Sequence, residues 1–215
     1  MLVLSVACKK LARFSLLWEG KIKHSKFACK IVRELKKIIT LLSFVLLYST
    51  NNAQFNLQLR AVVSDSSHIY ANVGGYVDSL GNEYALLGTS NGLSISDVTN
   101  PSSPVSLFDV AGVTSNWREV KTWLHYAYVT NENGGGLQII NLQYLPDSVQ
   151  VRQWQGDSLI TGLETIHALH IDSGTLYLYG CGTGPSFSDP KFFEGAAVFC
   201  DLLTDPWNPH YLGNT

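Results

Sequence analysis

Tyr84-Ala85-Leu86-Leu87-Gly88-Thr89-Ser90-Asn91-Gly92-Leu93-Ser94-Ile95-Ser96-Asp97-Val98 is two short apolar runs around a turn signal. The runs are rich in Leu and Ile and far too short for a globular helix. Asn-Gly supplies two residues that tolerate positive φ, which a tight type I′ hairpin needs. The stretch therefore predicts a β-hairpin with its turn at Asn91-Gly92.

The hairpin recurs along the chain. Tyr84-Ala85-Leu86-Leu87 corresponds to Tyr126-Ala127-Tyr128-Val129 and to Thr175-Leu176-Tyr177-Leu178. Gly92-Leu93-Ser94-Ile95-Ser96-Asp97-Val98 corresponds to Gly136-Leu137-Gln138-Ile139-Ile140-Asn141-Leu142 and to Gly195-Ala196-Ala197-Val198-Phe199-Cys200-Asp201-Leu202. A proline-bearing turn follows each copy, at Pro101 to Pro104, at Pro146 and at Pro206 to Pro209. The copies are 42 residues apart from Tyr84 to Tyr126 and 49 from Tyr126 to Thr175. An insertion from Gly182 to Glu194 accounts for the longer interval. A period in the forties with four short strands per unit is the pattern of a β-propeller blade. The expectation is an all-β chain: a partial β-propeller of three four-stranded blades, at about 68–112, 117–155 and 165–213. Propellers close with four to eight blades. Three therefore predict either a truncated reading frame or a ring completed by missing blades or self-association.

Of the 215 residues, 46% are hydrophobic and only 15% charged, which excludes a disordered chain or a coiled coil. The net charge of −2 hides an asymmetry. Residues 1–53 hold ten Lys+Arg and two Asp+Glu, a charge of +8; residues 54–215 hold five and fifteen, a charge of −10. The basic part reads as a leader. Lys36-Lys37 precedes the apolar run Ile38 to Leu47, then a small polar stretch ends at Ala53. That order predicts a secretory signal peptide cleaved after Ala53, and the apolar run is too short for a spanning helix. The preceding residues make an unusually long n-region, so translation is expected to start near residues 31–35. The mature chain is residues 54–215, exported to the periplasm, outer surface or medium. Its negative charge disfavours nucleic acid and anionic membranes.

The chemistry-bearing residues are few. Eight residues before each Tyr-Ala-Leu-Leu-like start stand Tyr76, Arg118 and His167, a candidate ligand-binding set around the channel. His170 and Asp172, with His167 and Glu164 nearby, are weak metal candidates. His167 and His170 are three apart, which on a strand sends them to opposite faces. Cys181 and Cys200 could pair as a disulfide in an oxidising compartment, or remain two buried thiols. Asp97, Asp201 and Asp205 could ligate calcium or cap their own turns. Asn131 to Gly136 is glycine-rich, but a strand follows it, so it reads as a hairpin turn and not a phosphate cradle. Trp117, Trp123, Trp154 and Trp207 either stack on sugars or fill the wedges between blades. Ser, His and Asp residues are present, but nothing in their arrangement along the chain links them as a catalytic triad.

The Gly-Leu-x-Ile-x-Asp-Val copies resemble the LVIVD repeat. With Ser115 to Lys121, Tyr126 to Val129, Gly134 to Leu142 and His167 to Asp172, the chain is similar to the N-terminal half of the choice-of-anchor B family over roughly residues 55–215. The resemblance implies a bacterial exported protein built on repeated β-blades, with no activity to carry over. The expected function is a non-catalytic binding or scaffold module of a cell-surface β-propeller protein, its partner an unidentified surface ligand or protein. The competing expectation is a propeller-type hydrolase or lyase with its site at the channel mouth.

Overall fold

The computed structural model describes residues 30–40, 42, 57–63, 68–183 and 197–215. The chain divides into two compact units, Met1–Gln58 and Leu59–Thr215. In the first, residues 30–40 form a helix with Lys37 paired to Glu34 at 2.9 Å. Among the described residues no helix is long and apolar enough to cross a membrane. The cleavage point at Ala53 and residues 184–194 of the insertion lie outside the described residues.

The second unit is all β: three antiparallel four-stranded sheets, each a blade-like meander. The first holds β1 (Tyr70–Val77), β2 (Glu83–Thr89), β3 (Gly92–Asp97) and β4 (Val105–Ala111). The second holds β5 (Val120–Trp123), β6 (Tyr126–Val129), β7 (Leu137–Asn141) and β8 (Gln150–Trp154). The third holds β9 (Ala168–Asp172), β10 (Thr175–Tyr179), β11 (Val198–Asp201) and β12 (His210–Asn214). These are the three expected repeats. The first strands lie side by side, β1 against β5 and β5 against β9. Gly74 permits the first approach, because a Cβ there would sit 3.1 Å from Val120 Cγ1.

Strand alternation builds two cores from one middle sheet. Ala127, Val129 and Ile140 pack with Tyr84, Leu86 and Ile95 of the first sheet. Tyr128, Ile139 and Trp154 point the other way and pack with Leu176, Leu178 and Val198 of the third. Ile139 and Ile140 are thus sequence neighbours in different cores, as period-two geometry requires. All five residues of β7 are buried. Each fully buried Leu or Ile contributes about 1.5–3 kcal/mol, and the middle sheet contributes to both cores.

Two local expectations need correction. The β2–β3 loop is Ser90-Asn91, and Gly92 already pairs with Thr89. Asn91 does not take a positive φ; only Gly92 does, at 148°. Gly92 is needed because a Cβ would lie 1.9 Å from the Val110 carbonyl oxygen of β4. Gly136 repeats the device: its φ is 70°, and a Cβ would lie 2.4 Å from the Trp154 carbonyl oxygen. The glycine of the Gly-Leu-x-Ile motif is there to let the third strand start against the fourth. Ser173 and Gly174, at 50° and 81°, are the pair that does make a two-residue hairpin loop with both φ positive.

Candidate functional site

The connection from β4 to β5 spans residues 112–119 and carries Arg118. It is held by Ser115, whose N–H donates to Ser90 O at 2.9 Å and whose Oγ accepts from Trp117 N at 3.2 Å. Arg118 is then fed under the end of the first sheet and is only 6% exposed. Two glycines make its slot. A Cβ on Gly88 would meet Arg118 Cβ at 3.3 Å, and one on Gly112 would meet Nη1 at 3.4 Å.

The guanidinium donates from Nε to Thr89 O at 2.6 Å and from Nη2 to Val113 O. Burial pulls its pKa below the usual arginine value, yet an arginine remains protonated. Among the described residues no carboxylate stands within ion-pairing distance of it. A buried cation is thus held by carbonyl dipoles alone, an arrangement with charge left to satisfy.

Beside it opens a small recess of about 10 Å³, lined by Arg118, Val113, Asn131, Gln138 and glycines 112, 134 and 136. Asn131 Nδ2 donates to Val113 O at 2.7 Å, and Gln138 Nε2 to Ala111 O at 2.8 Å. Gln138 is 3% exposed and its Oε1 has no hydrogen-bond partner in the structure. The loop over the recess is tied down by Glu164, which accepts from Gly135 N at 3.0 Å and from Gln155 Nε2 at 2.6 Å.

His167 occupies the corresponding place one sheet on, immediately before β9. Its ring is 58% exposed, with Nδ1 against the Glu132 carboxylate from the same glycine-rich loop. Gly180 makes room for it, since a Cβ there would sit 2.7 Å from His167 Cβ. Glu119, next to Arg118, accepts from Leu169 N at 2.7 Å and pairs with Lys121 at 3.0 Å. Arg118 and His167 therefore share one end of the inner strands.

Tyr76 lies elsewhere. It pairs directly with Tyr84, whereas the residues that pair with Tyr126 and Thr175 are Trp123 and Asp172. The turn between β1 and β2 is five residues long (78–82), against two in the other sheets. A fixed eight-residue offset therefore lands at the opposite end of β1. The Tyr76 ring is half-buried on Tyr84, with centroids 5.9 Å apart. Burial, then the Asp78 charge, raises its phenol pKa.

The remaining candidates separate. His170 faces away from the core beside Tyr177, with ring centroids 6.0 Å apart. Asp172 accepts from Ser173 Oγ at 3.0 Å. Among the described residues no three His, Cys, Asp or Glu groups are placed to share a metal ion. Asp97, Asp201 and Asp205 each accept a backbone N–H two residues on, at 2.8, 3.0 and 3.0 Å. Cys181 and Cys200 are free, buried thiols in the core between the second and third sheets. Burial pushes the Cys181 pKa up to about 12 and the Cys200 pKa higher still. Trp123, Trp154 and Trp207 pack into that same core, while Trp117 is 65% exposed.

No family model, curated protein or solved structure matches this chain.

Two residues lining the recess, Gln138 and Asn131, and the His167 partner Glu132 were not proposed as site residues from the sequence. Gln138 is the long polar residue in a repeat position that holds Ser94 in the first copy and Ala197 in the third. That contrast was its signal. Asn131 and Glu132 sit in a loop whose glycines explain its turn, and nothing local marks them further.

Proposed function

We propose that this chain is an exported, non-catalytic binding or scaffold module of a bacterial cell-surface β-propeller protein of the choice-of-anchor B kind. The observation that supports binding is Arg118, a buried cation with no carboxylate partner among the described residues, at the wall of an open recess. An acidic group supplies the missing countercharge to the guanidinium. At about 10 Å³ the recess has room for no more than one water-sized group, far below the 300–1,000 Å³ of drug-sized ligand pockets. Only the tip of an acidic side chain or chain terminus, presented by a partner protein, would enter it.

Calorimetric titration with a blocked tripeptide Gly-Glu-Gly and its Gly-Gln-Gly counterpart tests this. The acid is expected to bind saturably and the amide at least about tenfold more weakly, a difference of about 1.4 kcal/mol. Equal binding, or none by either peptide, would sink the reading. Export carries its own expectation: the processed chain starts at Gln54.

One observation favours the enzyme alternative. A carboxylate-oriented imidazole, Glu132 with His167, is the pairing a general base uses. A hydrolase or lyase built on it would lose activity in His167→Gln, whereas peptide binding at Arg118 would persist.

A further inference from the structure

The two sheet–sheet interfaces repeat one rule. Within each copy of the Tyr-Ala-Leu-Leu-like strand, the first and third residues face the next sheet and the second and fourth face the previous one. Tyr84 and Leu86 face Ala127 and Val129 across the first interface. Tyr126 and Tyr128 face Leu176 and Leu178 across the second. The interface is therefore heterologous: a forward face meets a different, backward face.

In a heterologous series the two outermost faces are unlike. Here they are the backward face of the first sheet and the forward face of the third. The backward face carries Ala85 and Leu87 on β2, paired to Gly75 and Val73 on β1. Its central row is small, running Gly75, Ala85, Ser96, Ser106 across the four strands. Val73 and Val77 on this side are 67% and 60% exposed. The forward face carries a row of large rings, His170, Tyr177 and Phe199, in register on β9, β10 and β11. Tyr177 and Phe199 meet edge to face at 5.6 Å. Large rings opposite a row of small residues is the complementarity of close-packed sheets.

We propose that two copies of this chain join head to tail, the His170–Tyr177–Phe199 face of one seating on the Val73–Ala85–Leu87 face of the other. The contact continues the rule of the two interfaces within the chain and does not depend on the binding reading above. If both ends engage, two copies make a ring of six sheets, within the four to eight that propellers use.

Light scattering on the full chain tests this, with Val73→Arg blocking one face and His170→Arg the other. Both positions are exposed. Unchanged circular dichroism and melting confirm that each variant folds. Wild type is expected at twice the monomer mass or more. Each variant alone, keeping one usable face only, is expected to lose ring closure and further growth and to run as a monomer. An equimolar mixture is expected to restore a two-copy particle holding one of each, through the two intact faces. A monomeric wild type overturns the proposal, and would mean that another segment or protein covers these faces. So does assembly that survives either variant, which would place the contact elsewhere, or a mixture that stays monomeric.

Discussion

Arg118 reaches back 29 residues to the carbonyl of Thr89 and ties the start of β5 to the end of β2 at 2.6 Å. The bond crosses from the second sheet to the first where no apolar contact could satisfy that carbonyl. The same side chain therefore closes a seam between sheets and leaves its charge beside a recess.

Replacing it tests the seam. Arg118→Leu keeps the apolar stem but leaves Thr89 O and Val113 O without this donor. Val113 O keeps its bond from Asn131 Nδ2, so the expected loss, about 1–3 kcal/mol, comes from leaving the buried Thr89 O short of a donor. Urea unfolding should show the midpoint fall with little change in slope. A change below about 0.5 kcal/mol would mean that Thr89 O finds water instead.

Gly92→Ala probes the repeat glycine. Its Cβ would stand 1.9 Å from Val110 O, so β3 and β4 must part. A loss of about 3 kcal/mol or more is expected, or failure to fold. Gly213→Ala is the control, since nothing lies within 4 Å of its added Cβ. That change in β12 should be neutral or slightly stabilising, through a less flexible unfolded chain. Equal effects from the two would show that close approach to β4 is not what requires the glycine.

The three sheets were legible because their signals are periodic. Short Val-, Ile- and Leu-rich runs recur, and glycine opens the third strand of the first two sheets at Gly92 and Gly136. The site was only half legible. Arg118 and His167 align because β5–β6 and β9–β10 have equal two-residue loops. Tyr76 breaks the alignment because Asp78 folds its own longer turn, accepting from Leu80 N and Asn82 N at 2.8 and 2.9 Å. Loop length is fixed by such local hydrogen bonds, which repeat counting does not register. Gln138 escaped because a single buried amide inside an apolar strand looks like an exposed one until its neighbours are known.

The two thiols make a third test. Cys181 and Cys200 are 1% and 0% exposed, and burial holds both in the protonated form. A thiolate is the reactive species, so neither should react with a thiol reagent in the native chain at neutral pH. Both should react on unfolding. For the chain starting at Gln54, which lacks Cys8 and Cys29, two equivalents titrated only after denaturant is the expected count; none at all would reveal a Cys181–Cys200 bridge.

Asp157 governs the acid limb of stability. It follows β8, and its Oδ1 accepts from Leu159 N and Ile160 N at 2.8 and 3.1 Å. Its Oδ2 accepts from Tyr211 N at 2.9 Å and meets His210 Nδ1 at 2.9 Å, so it staples the second-to-third connection to β12. Burial opposes the charge, but these backbone donors and the His210 contact outweigh it and lower the pKa. A depressed carboxylate adds stability that is fully present above the unfolded value, about pH 3.9, and fades as pH falls through the lower folded value. Asp78 and Asp201 are lowered as well and steepen the same limb. Asp157→Asn should therefore lower the melting temperature near neutral pH and flatten its decline below about pH 4. Melting curves recorded from neutral to strongly acid pH check this. Parallel curves for wild type and variant would show that Asp157 contributes shape, not charge.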